Sequence, residues 1–273
     1  MDLTIVDVFA ERLYAGNQLA VVHDAQDLST EKMQDIAREM NYSETTFVLE
    51  HNNERARVRI FTPEWELPFA GHPTLGTAWV LAGGTGSYTL DLQVGAVRVD
   101  FEGDLGWMTP PPVTLGAEFD RDDAADLIGL AASQLDPEFP VQLAEVGPKF
   151  ILIGVRDLAA LRAARFNDLL HRRYLADGVG VQCVFLFTTE SYEPNVDYAA
   201  RMFFNSGGPR EDPATGSANS AFAAYLKALK GEGFEAIVDQ GVEINRPSRL
   251  YLRVGDTIQV GGKVQLAVRG ELI

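Results

Sequence analysis

Two glycine-bearing loops hold the residue types that could do chemistry: Glu66-Leu67-Pro68-Phe69-Ala70-Gly71-His72-Pro73-Thr74 and Glu211-Asp212-Pro213-Ala214-Thr215-Gly216-Ser217-Ala218. Each leads into an apolar stretch that reads as a helix. A helix N-terminus presents unpaired N–H groups and the positive end of its dipole. A glycine there lets a ligand come close to the backbone. The chemistry this suits is the holding of a small carboxylate, with Gly71, His72, Asp212, Gly216 and Ser217 as candidate contacts. Taken singly, each loop has a plainer reading, in which the glycine is turn geometry and Thr215 or Ser217 is an ordinary cap. Two matching loops favour the ligand. Gly83-Gly84-Thr85-Gly86 follows a helix and precedes a strand, so it reads as a C-cap or hairpin and not as a phosphate loop.

The elements that must position these loops show in the residue pattern. Leu3 to Phe9 alternates, and Asn17 to Val22 follows the Gly16 turn, giving two strands. A helix comes next, with Ser29 as N-cap and Leu28 against Met33 as a hydrophobic staple. Its apolar residues Met33, Ile36, Ala37 and Met40 recur at helical spacing. The chain then turns through Asn41-Tyr42-Ser43-Glu44 into a strand-like run, Thr45 to Leu49. From Leu143 onward the same order returns: a strand from Phe150 to Val155, a helix capped by Asp157 with Leu158 and Leu161 inward, and a strand from Val181 to Thr188.

Arg59-Ile60-Phe61 precedes Gly71 as Arg201-Met202-Phe203 precedes Gly216, at offsets of 142 and 145 residues in a chain of 273. An internal duplication is the economical explanation. Both helices after the loops are apolar nearly all round. In the first, His72 reads as the cap, Pro73 as the first helical residue and Gly83 as the stop. The second runs from Ser217 to Leu229, with Lys227 its one charge. Helices of this kind must be wrapped. The expected fold is therefore α+β, with two similar lobes, each a β-barrel-like, mostly antiparallel sheet around a central apolar helix. The lobes are expected at 1–125 and 126–273, with a terminal strand able to cross between them.

At several places the chain resembles the PhzF-like family of phenazine biosynthesis. The matching segments are Gly16 to Val21, Asn41 to Phe47, Arg59 to Pro63, Glu66 to Gly76, Glu211 to Ala218 and Gly241 to Ser248. They run in order along almost the whole chain. The resemblance implies a diaminopimelate epimerase-like fold with the active site between the lobes. It implies isomerisation of trans-2,3-dihydro-3-hydroxyanthranilate by a proton shift, without metal or organic cofactor, and a homodimer. By the same resemblance Glu44 is the proton carrier, His72 and Asp212 position substrate or relay protons, and Ser217 is a hydrogen-bonding cap near the substrate. A base beside a carbon acid is what such a shift needs. Without the motif, Glu44 would read as a solvated side chain in a turn.

The chain departs from the family pattern at Ser206-Gly207-Gly208-Pro209-Arg210 and at Asn245. These departures leave open an epimerase or isomerase of another amino-acid-derived acid, or a non-catalytic protein that kept the fold. Racemases of this architecture use a cysteine in each loop. Neither loop here has one, and Cys183, the single cysteine, reads as a core residue.

Composition agrees with a chain that folds throughout as an ordinary globular protein. Hydrophobic residues make up 46% and charged residues 23%, and the formal net charge is -16. Such a balance repels nucleic acid and anionic membrane alike. Local backbone donors can still hold a small acidic substrate, because salt screens the net field within about 10 Å. The first ten residues carry no basic segment or apolar core, and no run of about 20 apolar residues occurs, so a cytoplasmic protein is expected.

Overall fold

The computed structural model describes residues 1–273 apart from Val179, Ser206 and Gly207, so part of the Ser206 to Arg210 departure lies outside the described residues. The chain forms two compact units, Met1–Pro111 with Gln259–Ile273, and Pro112–Ile258.

In the first unit, β1 (Asp2–Val8) lies antiparallel to β2 (Asn17–Val22). The chain crosses through α1 (Thr30–Met40) to β3 (Glu44–His51), which runs parallel to β2. The cap works as the sequence suggests: the Lys32 backbone N–H donates to Ser29 Oγ at 3.2 Å. Met33 and Ala37 are buried in a small core with Val22, Phe47 and Phe61. β4 (Arg55–Phe61) pairs antiparallel with β3 and with the short β5 (Glu66–Leu67). α2 (Gly71–Ala82) follows, then β6 (Ser87–Leu92) parallel to β4, β7 (Gly95–Glu102) and β8 (Leu105–Met108) in antiparallel succession. α2 packs on β1, β2, β3, β6, β7 and β8. Its residues from Gly71 to Ala78 are all buried, as expected of a helix with no polar face.

The second unit contains β9 (Thr114–Glu118), α3 (Arg121–Leu127), β10 (Gln142–Glu145), β11 (Lys149–Gly154), α4 (Leu158–Ala163), α5 (Asp168–Ala176) and β12 (Cys183–Thr188). It continues with β13 (Tyr198–Asn205), β14 (Pro209–Asp212), α6 (Gly216–Lys230), β15 (Phe234–Gln240) and β16 (Ser248–Val254). The pairing scheme of the first unit recurs. β10–β11 is antiparallel, β11–β12 parallel across a helical crossover, and β12–β13 and β13–β14 antiparallel. β15 is parallel to β13, and β16 antiparallel to β15. α6 is the buried helix here, with Phe222 touching Phe185, Phe187 and Tyr198.

The duplication extends to side chains. In β4, Arg59 holds Glu66 at 2.6 Å with its guanidinium 5.0 Å from the Phe61 ring centre. In β13, Arg201 holds Glu211 at 2.7 Å, 4.7 Å from the Phe203 ring centre.

The chain ends in β17 (Ile258–Gly262), which pairs with β8, and β18 (Val264–Glu271), which pairs with β1. Backbone pairing therefore places residues 259–273 with the first unit. The first stretch of that unit ends at Pro111 and not at 125, because β9 pairs with β10. Two further points differ from the sequence reading. Cys183 opens β12 and is only half-buried. α5 has no counterpart in the first unit and was not expected.

Candidate active site

In the first unit the candidate residues gather where β2, β3 and α2 begin. β2 and β3 are parallel, with Leu19 opposite Glu44, so both strands start at the same end of the sheet. α2 lies close against β1 and β2 because residue 76 is glycine. A Cβ there would stand 2.6 Å from Val8 Cγ2 and 2.7 Å from Leu19 Cδ2, so close that those side chains would have to shift. Thr77 adds a hydroxyl contact of 2.8 Å to Thr46 in β3. Helix and strands are thus locked in register.

This packing sets His72 beside Glu44. The helix starts two residues earlier than the sequence suggested: Gly71 is its first residue, the cap is Ala70, and no side chain caps it. Pro73 is the third residue, where its missing N–H is one of the first-turn groups that would find no helical partner anyway. Freed from capping, the His72 ring lies inside. Asn17, the buried first residue of β2, brings Nδ2 to 3.2 Å from His72 Nδ1. The amide donates, so Nδ1 is the unprotonated nitrogen and Nε2 bears the hydrogen. Nε2 is buried and without a hydrogen-bond partner. Glu44 Oε2, itself buried, lies 3.5 Å from Nδ1. Burial pushes the His72 imidazole down to about 3, so the ring is neutral at ordinary pH. It gives the Glu44 carboxylate no positive charge, and its Nδ1 lone pair is engaged by the Asn17 amide.

In the second unit, Asp212 ends β14, Gly216 opens α6 and Ser217 is its second residue. Ser217 is therefore not the cap. That position is Thr215, whose hydroxyl reaches Asp212 Oδ2 at 2.6 Å instead of capping the helix. All four residues are buried. Sequence reasoning missed Gln240, the fully buried last residue of β15. Its Nε2 donates to the Asp212 carbonyl at 2.9 Å and to Thr215 Oγ1 at 3.0 Å. Its Oε1 accepts from the Thr215 N–H at 3.3 Å and from Asn219 Nδ2 at 3.1 Å. An amide closing a strand just before Gly241, at the end where the loop to α6 also lies, was the available signal. Among the described residues no cluster of three His, Cys, Asp or Glu side chains is arranged to hold a metal ion.

A family profile described as phenazine biosynthesis-like protein matches residues 6–271. The chain belongs to that family. A relative in it, trans-2,3-dihydro-3-hydroxyanthranilate isomerase of Pseudomonas chlororaphis, is 37% identical over 261 residues, covering 91% of this chain and 88% of its own. A phenazine biosynthesis protein of the PhzF family from Bacillus anthracis superposes with a TM-score of 0.89 at 25% identity, covering 100% of this chain and 99% of its own. A predicted epimerase from Pseudomonas aeruginosa gives 0.85 at 35% identity, with the same coverage. These likenesses place the phenazine biosynthesis-like chain among isomerases.

Proposed function

We propose that this isomerase moves a proton on a small cyclic carboxylate, with Glu44 as the group that carries it. The substrate class is that of trans-2,3-dihydro-3-hydroxyanthranilate, on which the Pseudomonas chlororaphis relative acts by name. The reading rests on one observation: a buried carboxylate oxygen of Glu44 stands 3.5 Å from the unprotonated nitrogen of a neutral histidine.

The chemistry follows from that pair. The Glu44 carboxylate takes a proton from a ring carbon, and the C–H electron pair enters the conjugated system. While Glu44 holds the proton, the neutral His72 ring lies beside it and adds no charge. Return of the proton to another ring carbon on the same face completes the shift, and no electron is gained or lost. A single positioned acid/base of this kind supplies about 10²–10⁴-fold in rate. The His72 Nε2–H is a buried donor that a substrate oxygen can satisfy, and an unmet buried donor costs about 1–3 kcal/mol. Gly71, Asp212, Gly216 and Ser217 complete the proposed substrate-binding set. No cofactor takes part in this scheme. A homodimer accords with the family resemblance, and a cytoplasmic location with first ten residues that carry no basic segment or apolar core. Light scattering of the purified protein tests its oligomeric state, and fractionation of the source cell tests its location.

The deciding experiment incubates the protein with trans-2,3-dihydro-3-hydroxyanthranilate in D2O and follows the ring protons by NMR. Loss of the substrate signal with solvent deuterium entering the product supports the proposal. Unchanged substrate at high enzyme concentration refutes the substrate, and related cyclic carboxylates then test the wider class.

A further inference from the structure

The loop before α6 is held by a side chain from another strand, and the direction of each hydrogen in that contact is fixed. Gln240 is fully buried, and both halves of its amide are fully used. An amide offers two donors and two acceptor lone pairs. Here the acceptors take the Thr215 N–H and Asn219 Nδ2, and the donors go to the Asp212 carbonyl and Thr215 Oγ1. Swapping the amide would set oxygen against two oxygens, so the orientation is unique. Thr215 Oγ1 therefore already accepts one hydrogen. Its own O–H points along the 2.6 Å contact to Asp212 Oδ2.

We propose that Gln240 and Thr215 act as positioning residues for the reaction, forming a one-way relay, Gln240 to Thr215 to Asp212, that fixes the orientation of the Asp212 carboxylate and supplies it with a permanent hydrogen-bond donor. Asp212 is thereby presented to substrate in one orientation and as an acceptor. The proposal rests on the reading that Asp212 binds substrate. The local backbone supports it as well. Gly241, the next residue, has φ +75, and a Cβ on it would lie 2.5 Å from the Pro213 carbonyl oxygen, so strand β15 ends hard against the loop.

Thr215→Val removes the hydroxyl while keeping the shape, and Thr215→Ser keeps the hydroxyl. Thr215→Val is expected to lower kcat/KM for trans-2,3-dihydro-3-hydroxyanthranilate by about tenfold or more, the scale of one lost hydrogen bond to a charged group. The acid limb of its pH profile is expected to move to higher pH, because loss of a donor to a carboxylate disfavours its charged form. Thr215→Ser should restore both. Gln240→Glu exchanges two donors for acceptors, turning the Thr215 hydroxyl away from Asp212. It should reproduce the pH shift, and serves if Thr215→Val does not fold. A folded Thr215→Val or Gln240→Glu protein with the parent rate and pH profile, beside an inactive Asp212→Asn, overturns the relay alone. An Asp212→Asn protein with parent kinetics overturns the substrate-binding role of Asp212, and the relay with it.

Discussion

Glu44 Oε2 and His72 Nδ1 stand 3.5 Å apart, and the histidine is the neutral partner. Burial makes it neutral, and the Asn17 amide, which donates to the ring nitrogen facing the carboxylate, sets the tautomer. The pair is thus a carboxylate beside a neutral ring and not an ion pair.

The first prediction concerns that tautomer. In the parent protein the 15N resonances of His72 should show Nε2 protonated and Nδ1 bare at pH 7. Asn17→Leu should give a mixture of tautomers and lower kcat by about tenfold, the scale of a single hydrogen bond. An unchanged tautomer in Asn17→Leu with a normal kcat contradicts the role given to Asn17.

Acid stability offers a second test. His72 sits at about 3 when folded against about 6.5 when unfolded. Between these values the unfolded chain binds the extra proton, so stability falls as pH falls from about 6.5 towards about 3. The full effect is roughly 4–5 kcal/mol. Urea unfolding across this range should show the loss, and His72→Gln should flatten that part of the curve. Equal pH dependence in both proteins contradicts a buried neutral His72.

Much of this arrangement was legible in the residues. The strands, the Ser29 cap, the Gly83 stop at φ +66 and the two apolar helices all follow from local pattern. The starts of α2 and α6 did not, because the capping rules reward side chains that could cap. His72 and Thr215 instead turn to partners distant in sequence or to the carboxylate before the helix. Gln240 was missed for the same reason: its partners lie 21 to 28 residues back in the chain. The return of β18 to β1 is likewise a pairing over the whole chain length. No local signal reports it.

Helix placement can be tested at Gly76. Gly76→Ala would push its methyl into Val8 and Leu19, and overpacking of this kind costs about 1–3 kcal/mol. Calorimetry should show a lower melting temperature, and kcat should drop as His72 is displaced with the helix. A melting temperature equal to the parent's contradicts the close approach of α2 to β1 and β2.

The two matching arginine–glutamate pairs should differ in worth. Arg201 and Glu211 are 7% and 10% exposed, whereas Arg59 and Glu66 are 24% and 19%. Removing one member of a buried pair costs about 3–5 kcal/mol, because the other charge stays behind. Arg201→Met should therefore destabilise the protein more than Arg59→Met in parallel urea titrations. Equal losses would show that burial does not set the difference.

The account stands on Glu44 as the proton carrier, and Glu44→Gln tests it most directly. The amide keeps the shape and cannot take the proton. Deuterium incorporation from D2O into product, with turnover followed by NMR, should fall by at least about 100-fold while the circular dichroism spectrum and melting temperature stay near those of the parent. A folded Glu44→Gln protein that still exchanges and turns over at the parent rate would mean that the proton travels on another group.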